Sequence, residues 1–457
     1  MAFLVFDHFA PGAMSDDSFA ILSQARSGVY SDAHPPLLAL IWSAVDQIIP
    51  GPLGMLLVNL TLFYGGLLLI FLRLAQRVGL FSAPLFIIVG LYPPVTAILG
   101  VIWIDITMAA IYIFAIGLFI FLCLGEDKKS GKFAIGAIAV LILMLVGISS
   151  RHNGAAAALS IFIFFFYCSI FNRNVMWVRL GSSLILGIFA TILCFYSVRQ
   201  AQSLLVDERA HLWRVGAIYD IAGVSFYEGK YLFDQSIMSG GRVDIENLYT
   251  PRSFIPLVVG EQIHALPGKL SKTGNKAELN LDFSNLNNAL FDNWISVITN
   301  YPASYLRHRY EVFLSLTTRS SWGLWSTIYD WIPPNSMGIP EMRAKDSPYY
   351  KFVRKLTGTF IFVPIFYILF SLAMMGLALY YTIKKSSDLL MLATALYLSG
   401  LLHMVGLFFF TASGDNRYSH WMILTTVLAT AVLFGELAVR FFLKIQSTRS
   451  SVKELQY

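Results

Sequence analysis

"LVNLTLFYGGLLLIFLRLAQR", residues 57–77, carries no charge before Arg73 and then ends on a second arginine, Arg77. A helix needs about 20 predominantly apolar residues to cross a hydrocarbon core. Short loops rich in Lys and Arg stay on the cytoplasmic side. The stretch therefore reads as a membrane-crossing helix whose Arg73 end faces the cytoplasm. Comparable runs recur at 82–102, 105–124, 133–149, 154–171, 178–198, 355–382, 388–410 and 420–443, with 133–149 the shortest. The 457-residue chain is 56% hydrophobic and 13% charged, whereas soluble domains carry about 25% charged residues. The expected fold is an all-α polytopic membrane protein with about nine full transmembrane helices.

The net charge of +6 does not point to nucleic acid, because Lys and Arg collect in short loops. Arg73 and Arg77, Lys128, Lys129 and Lys132, Arg173 and Arg179, Lys384 and Lys385, and Arg440, Lys444, Arg449 and Lys453 occupy every second connection. That alternation is a topology signal. Cys123, Cys168 and Cys194 all fall inside apolar runs and so report nothing about redox compartment. The opening "MAFLVF" lacks a basic leader and a cleavage site, and reads as the stump of a truncated or mis-started first helix. No phosphate-cradling loop, dinucleotide fingerprint or internal repeat is present.

The alternation puts residues 7–56, the turn at Trp103 and Asp105, "SSRHNG" at 149–154, the long segment 199–352 and "TASGDNRYSH" at 411–420 outside. "HPPLLALIWSAVDQIIPG", 34–51, is too short between its prolines to cross comfortably and reads as a juxtamembrane or re-entrant helix. The expected domains are 1–56 (truncated helix and first outer loop), 57–198 (transmembrane helices), 199–352 (a small α-rich outer domain), 353–445 (C-terminal transmembrane helices) and 446–457 (a cytoplasmic tail). Within the outer domain, 301–316 predicts a helix opened near Pro302, lying on the membrane with Arg307 and Arg309 at headgroup level.

All the unusual polar residues land on that one side, and a charge within the bilayer is costly. Asp16 and Asp17 sit where a helix begins, so one acid has a capping duty. The other can serve as a general base toward a hydroxyl. Asp105 can support that base, orient an acceptor or bind a divalent cation with it. Arg151, His152 and Asn153 place a cation, an imidazole and an amide at one junction, either as a hydrogen-bonded turn or as a phosphate contact, for which the guanidinium fork is well shaped. Arg417 with Tyr418 follows the same logic, and His34 is a turn residue or a substrate contact. The spacing of Asp and His matches no zinc motif. Trp322, Trp325 and Trp331 suit either sugar stacking or the membrane interface.

"PGAMSDDS" at 11–18, "QARSGVYSDAHPP" at 24–36, Asp105 opening a span, "RHN" at 151–153 and "RYSHW" at 417–421 together resemble the bacterial class C (GT-C) glycosyltransferase superfamily, polytopic inner-membrane enzymes that use polyprenyl-phosphate sugars. The resemblance covers the transmembrane frame and is strongest over 11–50; the full first helix of the family pattern is missing. It implies that Asp17 first, and Asp16 second, is the catalytic carboxylate, that Arg151 faces the donor phosphate, and that Arg417 and Tyr418 line the cavity. Its partners would be a polyprenyl-phosphate sugar donor, a glycan or lipid acceptor such as lipopolysaccharide, and membrane lipids, with a divalent cation as an open cofactor. The chemistry implied is direct, inverting displacement at the anomeric carbon. The rival readings are a transporter or flippase of lipid-linked glycans, and an envelope glycan polymerase or ligase.

Overall fold

The computed structural model describes residues 1–79, 82–123, 131–151, 153–169, 176–237, 244–258, 283–318, 327–345, 347–385 and 387–454. The chain is a multi-pass α-helical membrane protein: seven helices among the described residues are long and apolar enough to cross a bilayer. Lys128, Lys129, Arg173, His152, Trp322 and Trp325 lie outside the described residues.

Four short or medium helices and one long one open the chain: α1 (Ala2–Phe9), α2 (Asp16–Ser27), α3 (Pro36–Ile48), α4 (Pro52–Val78) and α5 (Ser82–Gly90). Helix α2 ends at Gly28, whose φ of 69° allows the left-handed cap that returns its N–H to the Gln24 carbonyl. Helix α3, begun by Pro36, is a 13-residue helix, the short helix expected between its flanking prolines.

The opening stretch 57–77 lies within α4, and its "GG" does more than fill the membrane. A side chain at Gly66 would come within 2.6 Å of the Ile113 backbone, and one at Gly117 within 2.5 Å of the Gly66 carbonyl. These glycines let α4 touch α7 (Ile104–Cys123) backbone to backbone, the small-residue packing that substitutes for hydrophobic driving force in lipid. Gly12 lies against both Ile102 and Pro52, so α4 and α7 start at the same end of the bundle and run parallel.

That parallel pairing requires residues 79–103 to return across the bundle, and they do so in pieces. The continuous span expected at 82–102 is replaced by α5, then α6 (Pro93–Thr96), then a turn-rich run to Trp103. Pro93 and Pro94 break the helix, since a residue before proline is driven out of the α region. Residues 94–103 are buried in protein, which is where irregular backbone is tolerated at membrane depth.

The remaining helices are α8 (Gly131–Ser150), α9 (Gly154–Ser169), α10 (Met176–Leu205), α11 (Trp213–Glu228), α12 (Ile245–Leu248), α13 (Ile255–Val258), α14 (Phe283–Asn300), α15 (Pro302–Thr317), α16 (Pro348–Leu356), α17 (Pro364–Lys385), α18 (Asp388–Phe410) and α19 (His420–Glu454). Over the described residues the expected span 154–171 is α9, with 16 residues, and 133–149 lies within the 20-residue α8. Helix α9 is mostly buried, packed against α10 and α18. The span expected from 355 begins at Pro364 instead, 348–356 forming the separate helix α16. Helix α10 ends at Leu205, past the expected boundary at 198, and α19 continues as helix through 446–454.

Helices α11, α14 and α15 pack around a second apolar cluster that includes Tyr219, Ile221, Leu290 and Val312. Helix α15 spans the expected segment, but Arg309 is buried at 2% exposure rather than lying at headgroup level. Periodicity assigned it to the outside because it is charged. The carboxylate of Asp220 on α11, itself fully buried, accepts from the Arg309 guanidinium at 2.6 Å and from the Trp294 indole at 2.9 Å, and lies 3.1 Å from the His308 ring nitrogen. Arg309 also donates to the Thr411 carbonyl at 2.7 Å, tying this unit to the end of α18.

Candidate active site

The site lies at the end of the bundle where α4 and α7 begin, and it is assembled from segments far apart in sequence. Residues 12–14 are held on both sides by backbone. Ala13 donates to the Gly100 carbonyl and accepts from the Ile102 N–H, while the Met14 N–H donates to the Trp331 carbonyl. The Tyr329 hydroxyl donates to the Met14 carbonyl at 2.9 Å. Trp331 belongs to a two-residue strand, β1 (Trp331–Ile332), paired antiparallel with β2 (Met342–Arg343).

Helix α2 starts from this clamp. Its N-cap is Ser15, not Asp16: the Ser18 hydroxyl accepts the Ser15 N–H at 3.2 Å and donates to the Ile102 carbonyl at 2.7 Å. Asp16 and Asp17 fill the first turn, where a carboxylate complements the helix dipole. Asp16 is exposed; Asp17 turns inward.

Arg417, in the short 3-10 turn that precedes α19, receives both an outer and an inner carboxylate. Its Nη2 lies 2.6 Å from Asp17 and its Nε 2.8 Å from Asp415. Asp415 also caps the turn by accepting the Arg417 N–H. The guanidinium sits over Trp103, 4.8 Å from the ring centroid, and 5.2 Å from that of Tyr418. The Trp103 indole donates to the Ser15 hydroxyl at 2.8 Å, so one indole links α2 to Arg417. A cavity of about 20 Å³ beneath Arg417, lined in part by Trp103, Asn416 and His420, has room for one water.

Arg151 also lies over the Tyr418 ring, 4.3 Å from its centroid, and is ion-paired with Asp105 at the start of α7. Asp105, expected to orient an acceptor, support the base or share a cation with it, is here the ion-pair partner of Arg151. Among the described residues, no group of three or more His, Cys, Asp or Glu is arranged to hold a metal ion. Asn153 abuts Gly406 on α18, one turn from His403, whose ring accompanies the Tyr418 carbonyl at 3.3 Å. His34 is half-buried close to Asp17.

Burial opposes charge on Asp17, but Arg417, aided by His34 and Arg151, outweighs it and holds the carboxyl below its usual range. Burial depresses His34, with Asp17 pulling the other way, so the imidazole is neutral at neutral pH. Burial also brings Arg151 down to about 10, still cationic. Asp415 shows the opposite balance: burial pushes it up to about 6 despite Arg417.

Of the residues expected from sequence, Asp17, Asp105, Arg151, Arg417, Tyr418 and His34 converge, and Asp16 stays at the rim. Sequence reasoning missed Asp415 and Trp103 as a platform, while its choice of Asp or Ser as the N-cap of α2 falls to Ser15. Asp415 stood two positions before Arg417 in an outer loop, and that spacing was the available signal. An apolar groove of about 590 Å³ between α1 and α4, lined by Phe3, Phe6, Leu57 and Leu68 among others, shares no residue with this site.

No protein-family model, curated protein or solved structure matches the chain.

Proposed function

We propose that the protein is an integral membrane glycosyltransferase of the class C type, moving a sugar from a polyprenyl-phosphate donor to a hydroxyl of an envelope glycan, lipopolysaccharide or lipid on the outer side of a bacterial inner membrane. The observation that carries this reading is the Asp17–Arg417 pair: a half-exposed, ionised carboxylate beside an arginine fixed from behind by Asp415. A base and a phosphate-binding cation are the two groups such a transfer needs within a few ångströms of each other.

In this reading Asp17 removes the proton of the acceptor hydroxyl. The new bond forms from that oxygen to the anomeric carbon as the carbon–oxygen bond to phosphate breaks. The electron pair leaves with the polyprenyl phosphate, whose charge Arg417 meets. Asp105 positions Arg151 as a second cation against the Tyr418 ring. One carboxylate base and no carboxylate nucleophile favour inversion at the anomeric carbon.

The experiment is reconstitution into proteoliposomes with polyprenyl-phosphate hexose and pentose donors, comparing wild type with Asp17→Asn. Transfer by wild type that falls at least a hundredfold in the variant supports the reading; undiminished transfer removes Asp17 as the base. The broken crossing at 90–103 favours one rival, because discontinuous helices mark transporter sites. Movement of intact lipid-linked sugar between leaflets, without transfer, would establish that rival. Cysteines introduced at Lys132 and Arg252 test the sidedness: labelling of both from the same side overturns it.

A further inference from the structure

Arg417 meets its two carboxylates on unequal terms. The Asp415 side chain is 1% exposed, sits on Nε and also caps the turn that carries Arg417. The Asp17 side chain is 37% exposed, sits on Nη2 and belongs to a different element, the first turn of α2. Trp103 and Tyr418 hold the guanidinium from the sides. Of the two carboxylates on Arg417, the one nearer solvent, and so the one an incoming anion meets first, is Asp17.

The local charge count points the same way. Among the described residues of these ion pairs, Asp17, Asp105 and Asp415 stand against Arg151 and Arg417, one more acid than arginine. A phosphate monoester added beside three carboxylates is repelled unless one of them moves off. Asp17 is the member that can move, since Asp105 is 4% and Asp415 2% exposed while the Asp17 side chain, though turned inward, is 37% exposed.

We propose that Asp17 occupies on Arg417 the place of the ligand phosphate, and that an arriving phosphate monoester displaces it, freeing the carboxylate to take the acceptor proton only in a loaded site. The idea rests on the transferase reading and adds a gate to it. An unloaded site keeps its base tied up as an ion pair. A loaded site trades that pair for an arginine–phosphate pair, for which the guanidinium fork is well shaped, leaving Asp17 beside the neutral His34 ring.

Removing the internal competitor then strengthens phosphate binding while it abolishes transfer. The test measures binding of undecaprenyl phosphate and of inorganic phosphate to the full-length protein in nanodiscs, for wild type, Asp17→Asn and Asp17→Ala, each checked by thermal melting. Asp415→Asn, which loosens Arg417 from behind, serves as the opposing control. Expected is affinity three- to tenfold tighter in both Asp17 variants, on the order of the strength of a half-exposed ion pair, and weaker in Asp415→Asn. A gain with both probes places recognition in the headgroup, and a gain with the lipid alone adds a need for the chain; either supports the exchange. Affinity unchanged or weakened in the two Asp17 variants, with wild type binding, overturns the exchange and leaves the transferase reading standing. No binding of either probe by any form overturns the transferase reading together with its gate.

Discussion

The guanidinium of Arg417 lies 4.8 Å from the ring centroid of Trp103, and the same indole donates its N–H to Ser15 at the start of the helix that carries Asp17. One side chain from the broken crossing thus sets the distance between the proposed base and its arginine. Trp103→Phe keeps the ring and loses the hydrogen bond, for a cost of about 1 kcal/mol, or about fivefold in transfer. Trp103→Leu loses the cation–π contact as well and falls roughly twentyfold or more. Equal transfer rates in the two variants would show that the ring face does not matter.

The pH profile separates two carboxylates. Asp17 is held low and stays ionised through the mildly acidic range, whereas Asp415 is pushed up to about 6. Protonating Asp415 removes the inner support of Arg417, so transfer should fall as pH drops through about 6, and Asp415→Asn should be weakly active with that limb flattened. For stability the signs are opposite. Folding raises the Asp415 pKa above its ordinary value, so its contribution declines as pH rises through roughly 4 to 6; Asp17, held low, contributes above its unfolded value and loses that contribution on acidification. A pH–rate profile of wild type and Asp415→Asn decides the matter.

Helices α4 and α7 touch at Gly66 and Gly117, where an added Cβ would meet backbone rather than a movable side chain. Gly66→Leu should cost about 2 kcal/mol or more through overpacking, read as a lower melting temperature in detergent. Gly181, around which an added Cβ meets nothing within 4 Å, is the control and should accept alanine with little change.

Asp220 is fully buried and receives Arg309, Trp294 and His308. Arg309→Met strands that carboxylate and should cost about 3 kcal/mol. Adding Asp220→Asn should recover part of the loss, a non-additivity expected of residues in one network. Because Arg309 also holds the Thr411 carbonyl, four residues before Asp415, the single variant should loosen the Arg417 turn as well, seen as faster amide exchange over 411–417.

Asn59 lies in the apolar interior of α4 with both amide atoms buried and without a protein partner. Asn59→Leu replaces an unsatisfied amide by a side chain of similar volume and should stabilise by about 1 kcal/mol. A lower melting temperature in this variant would show that the amide has a structural role.

Much of the frame was legible in the chain itself. Long apolar runs demand helices because lipid offers backbone groups no partner, and the stretch 57–77 declared one such helix by length and composition alone. Charge alternation then sorted Asp17, Asp105, Arg151 and Arg417 to a common side. Proline marked the start of α3, and Gly28 marked the end of α2.

Other features needed the third dimension. Apolarity does not distinguish a continuous span from a crossing broken at Pro93 and Pro94 and sheltered by protein, so 82–102 read as one helix. A lone charge looks solvent-facing until its partner is known, and Arg309 is buried because Asp220, 89 positions earlier, waits for it. The pairing of carboxylates with arginines was likewise undetermined: sequence did not say that Asp105 pairs with Arg151 and Asp17 with Arg417. Local sequence dictates which residues cross the membrane and on which side polar groups emerge, because those depend on solvation of each segment by itself. Which acid meets which cation depends on helix packing, set here by glycines that bring α4 against α7 and by a tryptophan between Ser15 and Arg417, and only the tertiary structure decides that.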